Sequence, residues 1–168
     1  MMNLFKRLCR HLLITPIALK RRFPQAVMQR IEQAIAQSES THFGEIRFAV
    51  ELHLSPLDIL RNKTGHQRAV EVFSQLRVWD TEHNNGVLIY LLLADHDFEI
   101  LSDRGVHQHV GSHGWSRISQ EMEALFRQGQ FEAGVLHGID QISQVLAQHY
   151  PAVNHNNNNE LPDAPVIL

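Results

Sequence analysis

Residues 87–94 read Val-Leu-Ile-Tyr-Leu-Leu-Leu-Ala, an uninterrupted apolar run of eight. A helix crossing a bilayer needs about 20 such residues, so the run is too short to span one. It also lacks the alternation of a half-buried strand, so as a strand it needs cover on both faces. Turn formers bound it, Asn85-Gly86 before and Asp95-His96-Asp97 after. Past the second turn, Phe98-Glu99-Ile100-Leu101 predicts an antiparallel partner and hence a hairpin. A strand buried on both faces demands helices above and below it.

The rest of the chain offers them. Val27, Ile31, Ala34 and Ile35 recur at helical spacing behind Pro24, predicting a helix over 24–40. Ile46, Phe48, Val50 and Leu52 alternate with Glu45, Arg47, Ala49 and Glu51, a strand with one apolar and one mixed face. Ala69, Val70, Phe73 and Leu76 share a helical face between the two strands. Trp115, Ile118, Met122, Leu125 and Phe126, then Phe131, Val135, Ile139, Ile142 and Leu146, give two further helices, closed by Tyr150-Pro151. Strand, helix, strand predicts a parallel pair with a right-handed crossover. The expected architecture is an α/β fold, a three-layer α/β/α sandwich. Its small mixed sheet combines a parallel pair with an antiparallel hairpin. The domain occupies 24–151, behind a basic helical segment 1–23 and ahead of a flexible, Asn-rich tail 152–168.

The formal charge of −3 hides an asymmetry. Residues 1–22 hold six of the 15 basic residues and none of the 18 acidic ones, leaving the remainder at −9. In this head Leu4, Phe5, Leu8, Leu12 and Leu13 fit one helical stripe, with Lys6, Arg7, Arg10 and His11 elsewhere. It reads as a helix packed on the body with a solvated basic face, or as one offered to a protein partner or a membrane surface through residues 1–22. No secretory leader is recognisable, which points to the cytoplasm and at most to the inner face of a membrane. The acidic total and the short Lys20-Arg21-Arg22 patch argue against nucleic acid, and no glycine-rich phosphate loop supports a nucleotide. A single cysteine, Cys9, excludes an internal disulfide and a zinc–thiolate cluster. Twelve histidines invite a metal reading. His107, His109 and His113 could ligate from an extended loop, although solvated or capping roles suit them better, and His155 lies among asparagines.

The topology makes a sharper prediction. The start of a hairpin's first strand lies beside the end of its second, and two parallel strands start at the same end. Glu45, Asp80, Glu82 and Asp103 should therefore gather at one sheet edge, with Thr41, His42, His83, Asn84 and Asn85 close by. Neighbouring carboxylates oppose each other's ionisation, which a divalent cation or Arg104 would offset. Carboxylates and Asn84 and Asn85 carbonyls are oxygen ligands, suited to calcium or magnesium, while His42 and His83 would widen the choice to manganese or zinc. The competing reading has Asp80 capping a turn, Asn85-Gly86 forming one, and Asp103 pairing with Arg104 or a loop amide.

The same segments carry a family resemblance. IEQAIAQSESTHFGEIRFAVE at 31–51, RAVEVFSQLRVWDTEHNNGVLIYLLLADHDFEILSDRGV at 68–106, and the stretch from Trp115 through GQFEAGVLHGIDQISQVLAQHYP to Pro151 resemble the TPM domain family of thylakoid photosystem repair proteins and their bacterial relatives. The resemblance implies an α/β/α sandwich, and through relatives it implies calcium or other divalent-metal binding and acid phosphatase activity. It places Glu45, Asp80, Thr81, Asn84, Asn85, Asp103 and Arg104 at the matching positions, with Asp80 and Asp103 as the foremost metal carboxylates. Two functions stand out: a regulatory or interaction module that binds calcium or a similar ion, and a metal-dependent phosphomonoester hydrolase with Arg104 clamping phosphate. A structural interaction domain without metal is the third.

Overall fold

The computed structural model describes residues 4–152 and 159–168; the expectation for His155 lies outside them. Seven helices and four strands are formed among these residues: α1 (Leu4–Leu13), α2 (Pro16–Arg22), α3 (Gln25–Ser38), β1 (Glu45–Glu51), α4 (Pro56–Leu60), α5 (Gly65–Gln75), β2 (Gly86–Leu92), β3 (Asp97–Ser102), α6 (Arg104–Arg127), α7 (Phe131–His149) and β4 (Val166–Ile167). The sheet runs β3-β2-β1-β4. β1 and β2 pair in parallel and β2 and β3 antiparallel, as the hairpin and crossover argument requires.

The apolar run is the centre of the sheet, and every residue of β2 is buried. Alternation splits the core in two. Ile46, Phe48, Val50, Val87, Ile89 and Leu91 face α3, α6 and α7. Ala49, Leu88, Tyr90 and Leu92 face Leu54 and Ile59 together with Ala69 and Val72 of α5. The three layers are thus helices, sheet, helices. The mixed face of β1 is buried as well, and Glu51 is paired there. Glu51 accepts from the Tyr90 hydroxyl at 2.6 Å and from Arg68 Nε at 2.8 Å. α5 opens with a capping box, in which Thr64 and Gln67 satisfy each other's backbone amides.

The head is helical and packed on the body as one of the expectations had it, with Leu19 and Phe23 joining the main core. Other features depart from the sequence expectations. α1 is turned away from its apolar stripe. His11 is buried, and Arg7 and His11 both reach Asp95 in the β2–β3 turn, at 2.7 and 2.9 Å. The tail expected to be flexible over 152–168 is seated over 159–168, where Val166 and Ile167 pair with Ala49 and Val50 along the open edge of β1. Residues 107–113 are not an extended loop. α6 begins at Arg104 and is broken only at Gly111, whose φ of +64° suits glycine. On a helix, positions two apart point to nearly opposite sides, so His107 and His109 do not form a ligand pair. His109 instead stacks on His149 at 4.4 Å.

Candidate metal centre

The sheet brings three segments to one end. Glu45 is in register with Gly86, the Glu45 amide donates to the Asn85 carbonyl at 3.2 Å, and the Asp103 amide donates to the Gly86 carbonyl at 2.8 Å. Positions 45, 85–86 and 103 therefore meet where β1 and β2 begin and β3 ends. The backbone converges as the topology argument predicts; the side chains then diverge.

The loop before β2 is held by its own polar groups. The Thr81 carbonyl accepts from the Asn84 amide at 3.3 Å, and the Thr81 hydroxyl accepts from the Asn85 amide at 3.0 Å. Asn84 sits at φ +52°, a left-handed conformation that asparagine tolerates. Asn85 is fully buried and donates its side-chain Nδ2 to the Phe43 carbonyl at 2.7 Å. A carbonyl can only accept, so this bond fixes the amide's orientation and turns Oδ1 the other way. That Oδ1 is buried without a hydrogen-bond partner.

Asp103 ends β3 and caps α6, its Oδ1 accepting from the Arg104 amide at 2.6 Å. Its Oδ2 is the second buried oxygen here that accepts no hydrogen bond. Further oxygens crowd the first turn of α6. A Cβ added at Gly105 would collide with the Asn84 carbonyl oxygen. It would lie 2.8 Å from the Tyr150 hydroxyl and 3.0 Å from the His83 carbonyl oxygen. Burial and then the charge of Asp103 push the Tyr150 hydroxyl above its ordinary value, so the two groups feel each other. Asn85 Oδ1 and Asp103 Oδ2 are thus two unpartnered buried acceptors at the end of the sheet where the backbones of 85 and 103 meet, and the carbonyls of His83 and Asn84 lie close by against Gly105. Buried acceptors left without partners are costly, and a hard cation is the group that an all-oxygen set suits.

The remaining candidates lie elsewhere. Asp80 is 56% exposed, with Arg77 at 4.0 Å. The exposed Glu82 offers its amide to a Glu160 carboxylate oxygen at 3.0 Å. Glu45 is buried, and its two oxygens accept from the amides of Glu160 and Leu161, each at 3.1 Å. Burial pushes its carboxyl up, and the two amides oppose that rise. Its carboxylate holds the seated tail rather than facing the Asn85–Asp103 corner. His42 is fully buried beside its bridge to Pro151, and burial pulls its imidazole down to about 4 against a backbone hydrogen bond with Gly44 that raises it. The His83 ring packs on Phe43 at 4.9 Å. Arg104 is exposed at the first position of α6. Among the described residues no three His, Cys, Asp or Glu side chains gather as a metal-holding group. A cation here would rest on one carboxylate and neutral oxygens.

A buried charge cluster beside this corner escapes sequence reasoning. Glu39 is held up at about 9 by burial first, then by the charges of Glu45 and Asp163. Arg47 is buried next to them; burial lowers it while Asp163, Glu39 and Glu45 raise it. The mixed face of β1 was a partial signal. The partner, Asp163, comes from a segment with no periodicity to announce it.

A model of the TPM domain matches residues 21–145. The chain belongs to the TPM domain family. The structure resembles the NMR structure of the BA42 protein from the psychrophilic bacterium Bizionia argentinensis, with a TM-score of 0.75 and 29% identity over 85% of this chain and 93% of that one. It also shares the fold of the N-terminal domain of a P. gingivalis protein, with a TM-score of 0.57 and 21% identity over 75% of this chain and 79% of that one. A comparison with curated proteins found no match. The match places the whole hairpin and the first turn of α6 inside the TPM domain, while the seated tail lies beyond it. No helix of this TPM domain protein, among the described residues, is long and apolar enough to cross a membrane.

Proposed function

We propose that this TPM domain binds a divalent, oxygen-seeking cation at the corner between Asn85 and Asp103 and serves as a regulatory or interaction module. Calcium is the foremost candidate, since it accepts carbonyl and amide oxygens in flexible geometry, with magnesium, manganese and zinc as competitors. The observation that carries the reading is the pair of buried acceptors, Asn85 Oδ1 and Asp103 Oδ2, neither with a hydrogen-bond donor. The nearby His83 and Asn84 carbonyls add ligands of the same kind. Asp80 and Glu45, foremost in the resemblance or the topology, have no such support.

Calorimetric titration of the purified protein with calcium, magnesium, manganese and zinc tests this. Asp103→Asn keeps the cap of α6 and removes the charge. It should weaken calcium binding by an order of magnitude or more, whereas Asp80→Ala should leave it nearly unchanged. Equal affinity in wild type and Asp103→Asn would refute the assignment. The hydrolase alternative rests on the placement of Arg104 beside Asp103. It requires turnover of a generic phosphomonoester that depends on added metal and falls in Arg104→Ala.

A further inference from the structure

Helical spacing divides α1 into two sides. Leu4, Arg7, Leu8 and His11 fall on one, and Cys9, Leu12 and Leu13 on another. Apolar burial alone would bury the leucines of both. Instead the Asp95 carboxylate draws in Arg7 and His11, and His11 Nδ1 also accepts from the Leu54 amide at 3.0 Å. That orientation leaves Leu12 62% and Leu13 77% exposed, and Ile17 at the start of α2 is 65% exposed. α4, which packs against α1, shows Leu57 and Leu60 to solvent as well.

Within α1 and α2 the charges are of one sign. Lys6, Arg10, Lys20 and Arg21 are exposed, and residues 4–22 contain no acid. Arg7 is spent on Asp95, and Arg22 is turned inward, over the Phe131 ring at 5.1 Å and onto the Ala18 carbonyl at 3.1 Å. Four outward cations therefore accompany the outward side chains of Leu12, Leu13 and Ile17.

We propose that α1 and α2 form a docking face for a membrane surface rich in anionic phospholipid. Aliphatic insertion and attraction to anionic headgroups are each weak alone and effective together. Aliphatic side chains exposed on two short helices suit a lipid surface, which needs no groove. The acidic remainder of the chain, repelled by the same surface, would fix which side turns toward it. The contacts of Asp95 with Arg7 and His11 tie this face to the hairpin, so docking would orient the whole domain.

Sedimentation of the full chain with vesicles tests the proposal. One set is phosphatidylcholine alone and the other phosphatidylcholine with phosphatidylglycerol. The wild type should sediment with the anionic set at low salt and be released as salt rises. Lys20→Gln and Arg21→Gln should each cut partitioning about fivefold, and Leu12→Ser with Leu13→Ser should abolish it. All these positions are exposed, so melting temperature should be unchanged and serves as the folding control. Absence of binding at low salt, equal binding to both vesicle sets, or unchanged binding in folded variants would overturn the proposal. Self-association of the chain, lost in the leucine variant without vesicle binding by the wild type, would assign the face to a second copy and overturn it too.

Discussion

Arg7 and Asp95, 88 positions apart, are joined by hydrogen bonds of 2.7 and 3.0 Å to one carboxylate oxygen, with both side chains largely buried. The Asp95 carboxyl is raised by burial, but the bonds from His11 and Arg7 outweigh that and hold it at about 2. This ion pair fastens the head to the β2–β3 turn. Asp95→Ala leaves two buried donors without their acceptor and should cost about 2–3 kcal/mol. In a chain of this size that corresponds to a drop in Tm of roughly 5–10 °C. Because the folded value lies below the unfolded one near 4, the stabilisation is present above pH 4 and is lost as pH falls toward 2. Thermal melts of wild type and Asp95→Ala should therefore converge at the acid end.

Glu45 separates two roles that a sequence cannot. Glu45→Ala removes the acceptor for the Glu160 and Leu161 amides. Amide hydrogen exchange in 159–168 should speed up, while calcium affinity stays within a factor of about 2 of wild type, below the loss expected for a direct charged ligand. A collapse of affinity with an undisturbed tail would return Glu45 to the ligand set.

Glu39 predicts a decline in stability toward alkaline pH. The unfolded carboxyl ionises near its ordinary value, whereas the folded one keeps its proton up to about 9. Between those limits the native state holds more protons, so stability falls as pH rises. Glu39→Gln retains a side-chain donor for Asp163 and cannot ionise. Its denaturation midpoint should be flatter than wild type from pH 5 to about 9.

His42 acts on the other side. Burial holds it at about 4 when folded, below its ordinary value, so the unfolded chain takes up a proton first on acidification. Stability should fall between pH 6.5 and about 4, by on the order of 3 kcal/mol in total. His42→Gln, though less stable at neutral pH, should lack this limb in urea denaturation.

Gly105 tests the acceptor corner without replacing any proposed ligand residue. Gly105→Ala would press its methyl group against the Asn84 and His83 carbonyl oxygens. The chain should fold with reduced stability and bind calcium at least about tenfold more weakly, as loss of ligand positioning does at metal sites. Calorimetry alongside a thermal melt separates the two effects.

The layers of the fold were legible because they follow from periodicity. The run at 87–94 is a doubly covered strand, and the register Glu45–Gly86 follows from parallel pairing with β2. The site was half legible for the same reason. Topology placed the backbones of 45, 85 and 103 together, but the side-chain directions depended on partners that periodicity does not name. Glu45 was claimed by amides 115 and 116 positions away. Thr81 and Asn85 both fall at positions that match the family, yet the Thr81 hydroxyl closes the loop while Asn85 leaves one oxygen over. The helix of the head was legible, but the side it buries is set by one distant aspartate that a hydrophobic stripe does not name.

β4 is only two residues long, and it lies on the side of β1 that would otherwise be an open strand edge. An open edge is where foreign peptides and neighbouring copies add themselves to a sheet. Here the chain itself fills that seat, and the Leu168 amide adds one more bond to the Val50 carbonyl at 3.0 Å. Whatever would extend this sheet beyond β1 must first evict a resident that the buried carboxylate of Glu45 keeps in place.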